Sequence, residues 1–228
     1  MAWRCSGREN LELIHNLYNA GIITSQRVKD AMLQVDRIFY CRDPSKAYLD
    51  SPQDIGYNAT ISAPHMHALC LEELKDCLRE GSVALDVGCG SGYLTSCMAQ
   101  MVGNSGKVYG IDHIRDLILL SEANTRKGNP NLLEAGIVKY IVGDGRLGLA
   151  EFSPYDAIHV GAATKEIPQQ LLDQLKVGGK MIVPVGDAFG QELLLVEKKE
   201  DGKLCKKTVT GVIYIPLTSE DNQLKRVF

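Results

Sequence analysis

Apolar positions along the chain follow two periods. In the first third they recur at helical spacing: Leu11, Ile14, Leu17 and Tyr18 lead up to Gly21, and Val28, Ala31, Met32 and Val35 follow a Thr24-Ser25 cap. Two amphipathic helices are predicted there. Between residues 41 and 61 the pattern breaks around Pro44, Pro52 and Gly56, and the stretch reads as a long ordered loop. Its tyrosines (Tyr40, Tyr48, Tyr57) either lie over a site or pack on the domain flank. Pro64 then suits a first helical turn, with Met66, Cys70, Leu74 and Leu78 repeating every fourth residue.

Beyond residue 80 the period changes. Short apolar runs at 83–87, 107–111, 138–142, 155–160 and 181–185 have strand length, and helical stretches separate them: 93–101, the region of Leu117 and Leu120, and 169–175 with Val177-Gly178-Gly179 as its stop. Runs at 192–197 and 207–215, around a Glu200-Asp201-Gly202 turn, complete the set. The alternation predicts an α/β fold: a doubly wound, mostly parallel, seven-stranded Rossmann-like sheet with N-terminal helices. At 228 residues the chain is expected to be a single domain, with residues 1–80 carrying the helices and a ligand-facing loop and 81–228 the sheet core.

One stretch interrupts this alternation with chemistry. Strand 83–87 runs into Gly88-Cys89-Gly90-Ser91-Gly92 and a helix resumes at Tyr93, a strand, glycine loop and helix start that faces a ligand in doubly wound folds. The spacing is G-x-G-x-G. A dinucleotide loop needs a further glycine where Tyr93 stands, so a nucleoside is indicated rather than a pyrophosphate. Twenty residues beyond Gly92, the next strand ends at Asp112, placed to accept hydrogen bonds from ribose hydroxyls.

Composition narrows the partners. With 25 basic and 28 acidic residues the formal charge is −3, and no basic cluster exceeds two residues, which argues against nucleic acid. Seven cysteines without a C-x-x-C pair argue against a disulfide framework and a zinc site, and for a reducing compartment. No segment reads as a signal peptide or a membrane span, so a soluble, cytosolic protein is expected.

Ser62, just before Pro64, falls near a helix start. Its hydroxyl, the free backbone N–H groups and the positive end of the helix dipole make a site for a carboxylate, with a plain N-cap as the alternative. His65 and His67, two apart on a helix, point to different faces, and no metal is expected.

Together the segments ATISAPHMHA, ALDVGCGSGYLT, YGIDHI, VGDGR, YDAIHVGAA and GGKMIVPVG resemble, in order, the protein-L-isoaspartate (D-aspartate) O-methyltransferase family, across residues 13–218. The resemblance implies S-adenosyl-L-methionine as cofactor, S-adenosyl-L-homocysteine as its product, and an order of the last strands that differs from the usual methyltransferase sheet. It implies that Ala59, Thr60, Ile61, Ser62, His67, Asp86, Gly88, Gly90, Ser91, Gly92, Asp112, His113, Asp144, Gly145 and Thr218 surround the cofactor, with Asp144 at the adenine amino group. Ser62 is implied as the catalytic residue, and Ser62, Val160, Gly161 and Ala162 as the substrate contacts. Cys89 stands where Ser or Thr is expected in the family; a similar size should keep the adenosine geometry, and the thiol leaves the oxidation sensitivity of the loop an open question. The polar tail after Thr218 is expected to fold over the site.

The implied partners are isoaspartyl-containing proteins and peptides, met by a monomer, and the implied reaction is methylation of the free α-carboxylate of an L-isoaspartyl residue, D-aspartyl being a further acceptor. A carboxyl group with a pKa of about 3.5–4 is already ionised at neutral pH, so the absence of an evident catalytic triad fits. Ser62 then orients the nucleophile. A methyltransferase of another acceptor and a non-catalytic S-adenosylmethionine-binding module are the alternatives.

Overall fold

A computed structural model describes residues 5–187 and 189–225 of the chain. The reading of the N-terminal segment as free of a signal peptide touches residues 1–4, which lie outside the described residues. In chain order the structure forms α1 (Asn10–Asn19), α2 (Gln26–Gln34), β1 (Gln53–Gly56), β2 (Ala59–Ile61) and α3 (Pro64–Leu74). The sheet core follows with β3 (Val83–Val87), α4 (Tyr93–Val102), β4 (Lys107–Asp112), α5 (Arg115–Gly128), α6 (Pro130–Glu134) and β5 (Val138–Val142). It continues through β6 (Tyr155–Val160), α7 (Gln169–Gln174), β7 (Leu175–Asp187), β8 (Gly190–Lys198), β9 (Leu204–Val212) and α8 (Glu220–Leu224).

The seven-stranded sheet has the order β5-β4-β3-β6-β7-β8-β9. Strands β3 to β7 pair in parallel, whereas β8 and β9 return as an antiparallel meander. Because the chain winds outward from β3 in both directions, a crevice opens at the carboxyl ends of β3, β4 and β6, the switch point where ligands sit in such sheets. Leu85 and Val87 of β3 are wholly buried, each worth about 1.5–3 kcal/mol of apolar burial, which fixes the strand whose end carries the glycine loop.

The N-terminal helices are held to the sheet domain by a carboxylate. Glu72 of α3 accepts the backbone N–H groups of Thr24 and Ser25, both at 2.9 Å, and their hydroxyls as well, satisfying donors at the start of α2. Ser25 also accepts from Val28 N–H, as the expected cap. On α1 the buried stripe is Asn10, Leu13, Ile14 and Leu17, while Leu11 and Tyr18 face outward; Tyr18 instead packs under the Lys29 ammonium.

Four local expectations change. The stretch 41–61 is not one loop: it holds a short 3-10 turn at Pro44–Lys46 and the β1-β2 hairpin, whose Tyr57 and Asn58 both take φ of 55°. A two-residue hairpin turn needs that conformation, and without Asn-Gly or Asp-Gly nothing in the local residues announced it. On α3 the buried face is His67, Cys70, Leu71 and Leu74, with Met66 only half-buried and Leu78 beyond the helix end. Val177-Gly178-Gly179 does not stop a helix; α7 ends at Gln174, and these residues loop out where β7 begins, between the Tyr155–Leu175 and Ala157–Lys180 pairs. Any Cβ on Gly179 would press on three backbone oxygens at about 3 Å, so glycine permits that bulge. Finally, β9 ends at Val212 rather than at residue 215, because the chain leaves β8 to bond Ala163: Ala163 N–H donates to the Ile215 carbonyl and Leu217 N–H to the Ala163 carbonyl.

Candidate active site

The glycine loop is built as a cradle. Gly88 N–H and Cys89 N–H both donate to the Ile111 carbonyl, at 2.8 and 3.2 Å, and Gly90 N–H donates to an Asp112 carboxylate oxygen at 3.3 Å. The Gly90, Ser91 and Gly92 carbonyls point the other way, accepting from the Ser121 hydroxyl, the Asn124 amide and the Tyr140 hydroxyl. Gly92 has φ +83°, and a Cβ there would come within 2.5 Å of the Tyr140 oxygen, so only glycine lets α4 start this close to β5.

Above the cradle lies a small, partly open cavity of about 40 Å³. It is lined by Ala59, Thr60, Gly88, Gly90, Ile111, Asp112, His113, Gly145, Gly161, Ala162, residues 215–218 and Gln223. Through Thr60, Gly161 and residues 215–218 it adjoins an open cleft of about 1050 Å³ that contains Ser62, Met66 and Tyr214. Ten of the predicted residues therefore converge on the cavity: Ala59, Thr60, Gly88, Gly90, Asp112, His113, Gly145, Gly161, Ala162 and Thr218. Ser62 lines only the cleft.

The other predicted positions line neither space. Ile61 points into the core, as strand alternation in β2 requires once Thr60 faces out. Val160 is buried behind Gly161, and Ser91 and Gly92 are turned toward α5. Asp144 is set back in an ion pair with Arg146, whose guanidinium holds the carboxyl below the ordinary range. Asp86 is buried at the end of β3 against His159 and Thr95. His67 is buried against the Tyr93 ring and Arg37; since a guanidinium only donates, His67 Nδ1 accepts, and burial together with the Arg37 charge keeps this imidazole neutral.

Asp112 accepts Ile114 N–H at 3.0 Å besides Gly90 N–H, and burial raises its pKa despite these bonds. Ser62 is not the N-cap of α3; Ala63 holds that place. Its carbonyl instead accepts from the wholly buried Arg37 guanidinium at 2.8 Å, which fixes the backbone beneath the hydroxyl. The thiol of Cys89 is buried 3.8 Å from the Ser121 hydroxyl, and burial with the nearby Asp112 and Asp86 carboxylates pushes its pKa well up. Both the burial and the raised pKa work against oxidation of this thiol, since attack requires an accessible thiolate.

Four contributors carried no assignment from the residue pattern. Gln223 of α8 closes the cavity: it meets His113 Nε2 at 2.9 Å, donates to the Tyr57 carbonyl at 3.0 Å, and its own carbonyl accepts from Asn58, so the tail does fold over the site. Arg37 anchors Ser62. Tyr214 lines the cleft with Ser62 and Cys70 as hydrogen-bonding neighbours. His159 pairs with Asp86. Of these only His159 left a trace, as a polar residue in the apolar inner part of β6 after Asp156.

Among the described residues no group of three or more His, Cys, Asp and Glu could hold a metal ion, and no helix is long and apolar enough to cross a membrane.

The geometry has relatives. A crystal structure of a Plasmodium falciparum chain described as a protein-L-isoaspartate O-methyltransferase, in complex with S-adenosyl-L-homocysteine, matches with a TM-score of 0.86 and 37% identity, covering 93% of this chain and 99% of that one. The protein-L-isoaspartate O-methyltransferase of Caenorhabditis elegans is 53% identical over 226 residues, 99% of this chain and 100% of its own length. Protein-L-isoaspartate O-methyltransferase 1 of Arabidopsis thaliana is 51% identical over 95% of this chain and 94% of its length. The family model for protein-L-isoaspartate (D-aspartate) O-methyltransferase matches residues 8–222, nearly the whole of the sheet domain and its N-terminal helices, and the chain belongs to that family.

Proposed function

We propose that this chain transfers the methyl group of S-adenosyl-L-methionine to the free α-carboxylate of L-isoaspartyl residues in damaged proteins and peptides. Without further enzyme, the following backbone amide nitrogen then attacks the ester carbonyl, losing its proton and expelling methanol, and hydrolysis of the resulting succinimide restores part of the normal aspartyl linkage. One observation carries this reading: a small cavity at Asp112, beside the glycine loop, adjoins, through Thr60 and Gly161, an open cleft with Ser62 on its wall.

The residues suit the cofactor. Asp112 offers a buried carboxylate to ribose hydroxyls, Ile111 an apolar wall, and Gly88 and Gly90 backbone without a Cβ on the ligand side. When bound, S-adenosylmethionine supplies a sulfonium methyl that passes to a carboxylate oxygen in one in-line displacement. The chain's part is alignment and exclusion of water. Ser62 donates to the ionised substrate carboxylate from a backbone that Arg37 holds still, and Gly161 lets the peptide approach closely. Gln223, with its bonds to Tyr57 and His113, covers the cofactor side. We further infer a reducing cytosol, supported by seven cysteines that are all unpaired.

Incubation with methyl-labelled cofactor and matched aspartyl and isoaspartyl peptides tests this. Base-labile label is expected on the isoaspartyl peptide alone. Equal labelling of both, or of neither, would reject the substrate assignment.

A further inference from the structure

The cleft continues past Ser62 along a wall that methyl transfer does not need. Pro52, Met66 and Tyr214 line it, and Phe189 and Ile213 stand at its rim. Phe189 is 99% exposed, in the turn between β7 and β8, and Ile213 is 97% exposed, just beyond β9. Phe189 N–H donates to the Asp187 carboxylate at 2.8 Å. The Gln191 side-chain amide accepts Tyr214 N–H at 2.7 Å and donates to the Tyr214 carbonyl at 3.2 Å, extending the ladder where β9 has ended. An aromatic and a branched apolar side chain left in water forgo the burial that drives folding, and such exposure beside a cleft marks a binding surface.

The occupant follows from continuity. Ser62, Met66, Ile213 and Tyr214 lie on one cleft, and a volume of about 1050 Å³ reaches the upper end of ligand pockets, far beyond what one carboxylate fills. An extended peptide advances about 3.3 Å per residue, so a chain with its isoaspartate at Ser62 carries its neighbours along this wall. A second copy of the chain is disfavoured, because two side chains fall well short of the roughly 800 Å² per partner of a stable interface.

We propose that Phe189 and Ile213 form an apolar clamp for the side chain of a residue flanking the isoaspartate, so that the enzyme selects damaged sites next to large apolar residues. The proposal rests on the isoaspartyl reading above and adds the sequence context it favours.

The test compares the wild type with an F189S/I213S variant on short isoaspartyl peptides that carry leucine or serine on the amino or the carboxyl side. Both side chains lie in water, so the variant retains the fold. The wild type is expected to favour leucine on one side by about fivefold to twentyfold in kcat/KM. In the variant that preference falls toward parity while turnover of the serine peptide is unchanged. Equal kcat/KM for leucine and serine in the wild type, or a leucine preference that survives in the variant, would overturn the clamp alone. Methylation of no isoaspartyl peptide would overturn the activity reading and the clamp with it.

Discussion

Asp86 and His159 stand opposite each other in the parallel pairing of β3 and β6, and their side chains meet at 2.8 Å in the interior. Thr95 of α4 donates to the second Asp86 oxygen at 2.5 Å, so one carboxylate ties together two strands and a helix. The imidazole edge also lies 3.3 Å from where a Cβ on Gly161 would be, directly beneath the lip of the cleft. The pair therefore backs the lip from inside the sheet.

Burial alone would lower the His159 pKa, but the hydrogen bond and charge of Asp86 raise it to about 10, so His159 is an imidazolium at neutral pH. A folded-state pKa raised above the unfolded value of about 6.5 stabilises fully below pH 6.5 and is lost as pH rises toward 10. His159→Gln leaves Asp86 buried without its cation and should cost about 3–5 kcal/mol near neutrality. Urea melts from pH 6 to 10 should show the gap between wild type and variant shrinking as pH rises. A gap constant across that range would mean that the histidine is buried neutral.

Asp112→Asn should weaken S-adenosylhomocysteine binding by about 1.5–3 kcal/mol, roughly tenfold to a hundredfold, because a charge-assisted partner is lost while the side-chain shape is kept. Since burial raises the Asp112 pKa, cofactor affinity in the wild type should begin to fall on acidification sooner than an exposed aspartate would allow. Calorimetric titration at several pH values measures both effects, and wild-type affinity in the variant would remove Asp112 from the cofactor site.

Ser62→Ala should lower kcat/KM for an isoaspartyl peptide by roughly tenfold to a hundredfold, the worth of one hydrogen bond to a charged acceptor, and leave cofactor binding unchanged. The carbonyl that Arg37 grips is backbone and survives the substitution. Undiminished turnover would show that the hydroxyl does not touch the substrate.

Cys89→Ser should change cofactor affinity by less than about 1 kcal/mol, with Ser121 available as a hydrogen-bond partner for the new hydroxyl. In the native protein an alkylating reagent should label the exposed Cys205 well before Cys89. Mass mapping of the labelled sites decides this, and early modification of Cys89 would show that the loop opens.

What the residues determined by themselves was local. An apolar run ending in G-x-G-x-G sets a strand, a turn and a helix start within a dozen positions, since strand period and the missing Cβ act between near neighbours, and Asp112 follows from the length of one βα unit. The fold class and the resemblance of ATISAPHMHA to a family motif were legible for the same reason. What only the tertiary structure decided depends on partners far apart in the chain. Gln223 reaches the site by a bond to a histidine 110 positions away, and Asp86 is paired in the interior with a histidine 73 positions away. His67, predicted at the cofactor, turns instead to Arg37 and supports Ser62 from behind. No periodicity carries such pairings, because a buried polar group settles on whichever partner the packed sheet brings within hydrogen-bonding distance, and that partner is chosen by topology rather than by spacing.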